Sequence, residues 1–230
     1  MEALLAFAAA LVAFRFAGDL LRRYRVRRAP ELAAWAGSLL AYALASGALA
    51  WGAAAGWDDT AFRVYYLFGG LLTAALLGVG SLLFARRRWA APVGLLYTGL
   101  AIGLAVAVPL TSPVSGESIP EAQAHLDFIP ARLVAILGNS LGTLAVVAVA
   151  LITFRRRRVA NTLILAGTAV AAAGSALAGL GTAETTAFIA VGAALLYAGF
   201  RAASGESLLL RRRDQRRPAN NSSTSLSSGS

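Results

Sequence analysis

Seven apolar runs, each about as long as a bilayer-spanning helix, constrain the fold of this chain more than any other feature. A helix needs about 20 apolar residues to cross the hydrocarbon core of a membrane. The runs cover residues 2–21, 32–55, 62–85, 90–110, 131–154, 160–180 and 186–201. None of them alternates apolar with polar residues as a membrane β-strand does. We therefore predict an all-α polytopic membrane protein, a bundle of seven transmembrane helices.

The positions of the arginines predict how this bundle is oriented. The chain contains no lysine, and 18 of its 21 basic residues follow the first, third, fifth and seventh runs. Positively charged residues are retained on the cytoplasmic side of a membrane, so we predict that the N-terminus is outside and the C-terminus is cytoplasmic. The 18 arginines are Arg22, Arg23, Arg25, Arg27, Arg28, Arg86, Arg87, Arg88, Arg155, Arg156, Arg157, Arg158, Arg201, Arg211, Arg212, Arg213, Arg216 and Arg217.

The same pattern predicts three regions and a location. Residues 1–201 form the transmembrane domain, residues 202–217 a basic cytoplasmic juxtamembrane segment, and the Ser-rich residues 218–230 a disordered tail. We expect a multi-pass protein of a bacterial plasma membrane, whose arginine-rich loops contact anionic headgroups of the inner leaflet. These basic segments are short tethered loops, so nucleic-acid binding is not expected. A homo-oligomer and a membrane partner both remain open.

A polar and aromatic cluster at the predicted outer mouth is the first candidate binding site. One interpretation is that Arg63 satisfies Asp59 one helical turn earlier, while the aromatic rings anchor the interface. The other is an outward vestibule whose two cations attract an anionic solute or headgroup. The cluster comprises Asp58, Asp59, Arg63, Tyr65, Tyr66 and, at the start of the fifth run, Arg132.

Arg15 and Asp19 are the only oppositely charged pair inside a predicted span, and they form the second candidate. Their spacing of four residues places them on one helix face. Charged residues within a membrane are candidates for function, which gives one interpretation, a coupling or gating pair. The other is a structural anchor, because Arg15 lies near the inner end and its side chain can extend to the headgroups.

Several classes of enzyme are excluded by what the sequence lacks. With no cysteine and only one histidine, the chain cannot use a thiol nucleophile, a Cys-ligated metal or a multi-histidine metal site. Without lysine it cannot bind retinal as a Schiff base. We therefore expect no enzymatic activity, no cofactor and no bound metal.

Two motifs leave some chemistry open. Gly138–Gly142 matches the G-x-S-x-G pattern of serine hydrolases, but it falls within a predicted span, where the same glycines favour close helix packing. Glu117, Glu121 and His125 follow each other at intervals of four residues in the outer loop. They form either a solvated acidic face or an incomplete site for a divalent metal.

An internal similarity relates the third and seventh runs. Residues 58–62 resemble residues 184–188, and the two copies lie four spans apart, which would give them the same orientation. A 3+1+3 arrangement of parallel repeats is one explanation. Chance similarity in an alanine-rich chain is the other.

Residues 62–70, followed by Gly78–Ser81 and Ala85–Trp89, carry a resemblance to a known group. Over roughly residues 30–110 the chain resembles multi-span membrane proteins of high-GC actinobacteria, for which no activity is known. The resemblance therefore implies a membrane bundle and no particular reaction. We expect a non-catalytic protein whose bundle binds or transports a small solute or lipid. The alternative is a membrane sensor or scaffold subunit that acts through a protein partner.

Overall fold

A computed structural model describes residues 2–116, 119–120, 125, 129–178, 191–192 and 194–203. All regular structure in these residues is helical, which confirms the predicted all-α class for this part of the chain. We number the helices α1 to α7. They are α1 Glu2–Arg27, α2 Pro30–Ala55, α3 Asp59–Phe84, α4 Ala90–Ala107, α5 Ile129–Thr153, α6 Arg158–Ala178 and α7, residues 194–203.

Helices α1 to α5 are each long and apolar enough to cross a membrane. The apolar stretch of α6 that qualifies is shorter, Arg158–Val170. Large apolar side chains also point outward, as on α4, where Leu95 and Leu96 are 76% and 77% exposed. Lipid covers such a surface, whereas a water-soluble protein rarely leaves one open. Seven spans and the orientation of the termini remain predictions.

Helices α1 and α2 form a tight hairpin because one face of α1 is lined with alanine. Ala6, Ala9, Ala13 and Ala17 recur every three or four residues and are at most 6% exposed. Small side chains at this spacing let two helix backbones approach closely. The opposite face of α1 is exposed, and it forms a long apolar surface bearing Arg15.

The arginine-bearing helix ends lie together at one end of the molecule, which we call the arginine-rich end. Trp35, near the start of α2, lies 5.4 Å from the ring of Phe84 at the end of α3 and 4.4 Å from Phe200 of α7. Arg157, between α5 and α6, places its guanidinium 4.6 Å from the centre of the Phe84 ring. It also donates to the carbonyl of Ala203 at 2.5 Å. The grouping of arginines that the sequence predicts is therefore present within the described residues.

The opposite end, which we call the mouth, joins the α2–α3 connection to the α4–α5 connection. The backbone N–H of Trp57 donates to the carbonyl of Gly116 at 2.8 Å. The rings of Phe62 and His125 lie edge to face at 5.7 Å. Trp57 and Val114 are both buried there, at 4% and 5% exposure. These contacts close the bundle at the end where the first candidate site was predicted.

Three predictions fall largely outside the described residues. The basic segment 202–217 is described only at residues 202 and 203, which continue α7. The tail 218–230 and the second copy of the internal similarity, residues 184–188, lie outside the described residues. The basic segment, the disordered tail and the internal repeat therefore stay predictions.

Candidate functional site

The two carboxylates of the mouth accept hydrogen bonds from backbone N–H groups. Asp58 caps α3, since its Oδ1 accepts from the backbone N–H of Ala61 at 2.8 Å. The Oδ1 atom of Asp59 accepts from the backbone N–H of Val114 at 2.8 Å. Each carboxylate lies at the positive end of the α3 dipole, which favours a negative charge there. Asp58 therefore fixes the start of α3, and Asp59 fixes the α4–α5 connection against it.

Arg63 does not pair with Asp59, contrary to the simpler interpretation of the sequence. Its Nη1 atom donates to the carbonyls of Ala105 at 2.7 Å and Val108 at 2.9 Å. These two carbonyls belong to the last turn of α4, where helix carbonyls lack an internal partner. A cation at a helix C-terminus also interacts favourably with the negative end of the helix dipole. Arg63 thus ties α3 to the end of α4.

Of the remaining residues in the predicted cluster, the two tyrosines pack against neighbouring elements and Arg132 is exposed. Tyr66 donates its hydroxyl to the carbonyl of Ala131 at 3.3 Å, which links α3 to α5. Tyr65 packs edge to face against Trp57, with ring centres 5.5 Å apart. The Arg132 side chain is exposed, so the structure does not bring the two predicted cations together on a shared partner.

A narrow crevice remains beside Arg63. Its volume is about 10 Å³, room for about one water molecule. It lies between α3, the end of α4 and the first turn of α5. Its walls are formed by Phe62, Arg63, Tyr66, Leu104, Ala105, Val108 and Ala131.

Below the crevice, α3 contains a π-helical segment that the sequence analysis did not predict. Residues Tyr66–Leu72 form this segment between two α-helical sections, Asp59–Tyr65 and Thr73–Phe84. A π turn disrupts the regular hydrogen-bond ladder and is found frequently at functional sites. The pair Gly69-Gly70 inside an apolar run is the one signal in the sequence that could have suggested an irregular helix.

Side chains from three other helices bind the carbonyls of this segment and of the residue after it. Asn139 of α5 donates to the carbonyl of Gly70 at 2.8 Å, and the Tyr97 hydroxyl of α4 donates to that of Leu71 at 3.0 Å. Ser38 of α2 donates to the carbonyl of Thr73 at 2.7 Å. Within a membrane a free carbonyl is costly. These interhelical bonds therefore account for several polar residues that the sequence places inside spans.

The glycines of the G-x-S-x-G motif pack helices together. A Cβ atom at Gly78 of α3 would lie 2.6 Å from the Cα of Gly142 of α5, and one at Gly142 would collide with the Ala74 carbonyl. Ser140 points outward and is exposed. The close approach of α3 and α5 thus supports the packing interpretation of this motif.

His125 contacts the mouth. Its Nδ1 atom lies 2.9 Å from the Ser112 hydroxyl. Glu117 and Glu121, its predicted neighbours in an acidic face or a metal site, lie outside the described residues. Among the residues that the structure does describe, no three His, Asp or Glu side chains group as metal ligands.

The second candidate pair is arranged differently from the prediction. Asp19 forms its ion pair with Arg23, at 3.1 Å from the Nε atom, and accepts from the Tyr197 hydroxyl at 2.5 Å. Tyr197 also stacks on Phe16 with ring centres 3.8 Å apart. Asp19 therefore links α1 to α7 at the arginine-rich end, and Arg15 lies exposed on the outer face of α1.

Comparison with known proteins identifies no relative: no family model, curated protein or solved structure matches the chain. The resemblance of residues 30–110 to actinobacterial membrane proteins therefore stays a prediction.

Proposed function

We propose that the chain is a non-catalytic, multi-pass protein of a bacterial plasma membrane that binds a small anionic solute at the mouth. In this proposal the bundle has seven spans, the N-terminus is outside and the arginine-rich end is cytoplasmic. The observation that carries the proposal is the position of Arg63, whose two bonds to the end of α4 close a crevice directly above the π-helical segment.

The chemistry of the crevice favours an anion. The guanidinium of Arg63 is held by two neutral carbonyls, those of Ala105 and Val108. A carboxylate or phosphate carries a negative charge and accepts two parallel bonds from one guanidinium, so it binds a guanidinium more strongly than neutral carbonyls do. An anionic solute can therefore displace these carbonyls, and the end of α4 is then free to move away from α3.

The π-helical segment gives α3 a place at which to change shape. The crevice residues Phe62 and Arg63 belong to the section of α3 that precedes this segment, and Tyr66 begins it. Irregular turns within membrane helices border the binding sites of many transporters. Movement of residues 59–65 about the π turn would widen the crevice towards the buried Ala101.

Thiol accessibility tests this proposal, because the chain has no native cysteine. Ala105→Cys places a thiol in the crevice wall, and Ala101→Cys places one a turn deeper, at a position that is fully buried. In proteoliposomes we expect a charged thiol reagent to modify the first thiol readily and the second slowly. Adding Arg63→Gln should accelerate modification of the deeper thiol.

Ala13→Cys is the matched control, since Ala13 is equally buried but lies between α1 and α2. Its modification rate should not respond to Arg63→Gln. An unreactive Ala101→Cys thiol in both backgrounds would contradict a site that opens from the mouth.

A sensor or scaffold that acts through a protein partner is the second candidate. The tight packing of the interior favours it: besides the contact of Gly78 with Gly142, Gly80 lies directly against the Trp35 ring. A scaffold would leave Ala101→Cys unreactive, and it would co-purify with a partner. Substitution of the exposed loop arginines Arg86, Arg87 and Arg88 should then release that partner.

A further inference from the structure

Arg15 is a cation on the outer face of a helix that is long and apolar enough to cross a membrane. It lies on the side of α1 opposite Ala13 and Ala17, which pack inward. Leu11 and Phe14 beside it are 55% and 61% exposed. Within the described part of the chain Arg15 has no hydrogen-bond or ion-pair partner, because Asp19 is bound by Arg23 and Tyr197. A guanidinium placed this way needs an acceptor from outside the protein.

Two further arginines share this face of α1. Arg15, Gly18, Arg22 and Arg25 are separated by three, four and three residues, so they follow one line along the helix. Arg22 and Arg25 are also exposed and have no partner among the described residues. At 1.5 Å per residue, Arg15 and Arg22 are about 10 Å apart along the axis. Two arginine side chains can reach a single group between them from that separation.

Gly18 leaves the space for such a group. A Cβ atom at Gly18 would meet nothing within 4 Å, so no packing contact requires glycine there. The face forms a shallow, open groove lined by α1 alone, which includes Gly18, the three arginines and the apolar Leu11 and Phe14. The groove therefore has a cationic section near the arginine-rich end and an apolar section farther along α1.

We propose that this groove binds one anionic phospholipid from the leaflet at the arginine-rich end. The phosphate lies over Gly18, where Arg15 and Arg22 donate to its oxygens, and Arg25 contacts the outer part of the headgroup. Arginine suits this role because its planar fork binds phosphate through two bonds. The acyl chains lie along Leu11 and Phe14.

The form of the groove argues for a lipid as its occupant. The arginines supply charge complementarity to a phosphate, and the adjoining exposed apolar side chains supply a surface for hydrocarbon. A soluble phosphate would leave that apolar section uncovered. This proposal rests on the membrane placement of α1 and is independent of the crevice beside Arg63.

Native mass spectrometry of the full, delipidated chain in detergent tests this site. We expect one molecule of phosphatidylglycerol to bind at least tenfold more tightly than phosphatidylcholine with the same acyl chains. Arg15→Gln and Arg22→Gln should each weaken phosphatidylglycerol binding about tenfold, the usual scale for loss of a bond to a charged group. Gly18→Leu should abolish binding by filling the groove, while the thermal unfolding temperature stays the same or rises slightly, because leucine favours a helix more than glycine does.

Matched controls separate a site from general attraction. Arg87→Gln with Arg88→Gln removes the same charge as the Arg15 and Arg22 pair, from an exposed loop at the same end. Gly99→Leu adds the same side chain to α4, at another glycine with nothing within 4 Å. Both should keep wild-type affinity.

The proposal is overturned if the two lipids bind equally, or if the control variants lose as much affinity as the α1 variants. It is also overturned if glycerol 3-phosphate competes as strongly as the lipid, because the acyl chains would then contribute nothing. Binding that is seen only after removal of residues 204–230 would contradict it as well, since the chain's own C-terminal segment would then be the occupant. None of these results bears on the crevice, which thiol accessibility tests separately.

Discussion

Arg63 is the residue on which closure of the mouth depends most. Its Nη1 atom holds two carbonyls of the last turn of α4, and the neighbouring Asp59 holds the backbone of Val114. Each bond joins a charged group to the backbone, a class that contributes about 1.5–3 kcal/mol. Both residues therefore act on the α4–α5 connection, although they lie on α3.

Arg63→Gln should loosen this connection without unfolding the bundle. We expect faster backbone hydrogen exchange at residues 105–114, with the exchange of α1 and α2 unchanged. Arg132→Gln is the matched control, because Arg132 is an exposed cation near the same end. Equal exchange at residues 105–114 in both variants would show that the bonds of Arg63 do not hold the connection.

Gly142 is the residue whose replacement should most disturb the packing of α3 against α5. A Cβ atom there would collide with the Ala74 carbonyl, and backbone cannot move aside as a side chain can. We expect Gly142→Ala to lower the free energy of unfolding by about 1–3 kcal/mol, the usual cost of overpacking. Thermal unfolding in detergent measures the change. Gly99→Ala, where a Cβ meets nothing within 4 Å, should be neutral or slightly stabilising, and equal effects would contradict the packing role.

At the scale of the element, α3 carries the features that organise the bundle. Its first section is capped by Asp58, its π-helical segment receives bonds from α4 and α5, and its last section packs through Gly78 against α5. The π turn exposes carbonyls that a regular helix would satisfy internally. The neighbouring helices supply the missing donors, so the irregular turn and its partners stabilise each other.

Tyr97→Phe and Asn139→Leu test this mutual support, because each removes a donor to adjacent carbonyls of the π turn. We expect each change to lower the free energy of unfolding by about 1 kcal/mol. The pair should deviate from additivity by at least about 0.5 kcal/mol, as residues that share one hydrogen-bond network do. Thr98→Val is the control, since Thr98 bonds only to the Gly94 carbonyl of its own helix. Additive effects would mean that the two donors act independently.

At the scale of the molecule, the helical class and the grouping of the arginines were predictable from the sequence. The length of each apolar stretch and the positions of the arginines are visible in the sequence itself, and both govern how helices insert into a membrane. The partners of Arg63 and Asp19 were not predictable in this way. Arg63 binds the end of α4, 42 and 45 residues away, and Asp19 accepts from Tyr197, 178 residues away. Spacing of four residues suggested local ion pairs, but tertiary contacts supplied the partners of Arg63 and part of those of Asp19.

The π-helical segment was not predictable for a related reason. Its carbonyls accept bonds from Tyr97 and Asn139, and the carbonyl of the next residue, Thr73, accepts one from Ser38, so the donors come from three different helices. Each of these residues, taken alone, is an ordinary polar residue in an apolar run. Only their convergence on one turn of α3 distinguishes them, and convergence is a property of the packed bundle.

Labelling of single cysteines in intact cells tests the central claim, a membrane bundle whose arginine-rich end is cytoplasmic. Ser115→Cys places a thiol at the mouth and Arg87→Cys places one at the arginine-rich end, both at exposed positions in a chain with no other cysteine. We predict that a membrane-impermeant thiol reagent labels Ser115→Cys directly, and labels Arg87→Cys only after the cells are permeabilised. The reverse pattern, or direct labelling of both thiols, would contradict this account.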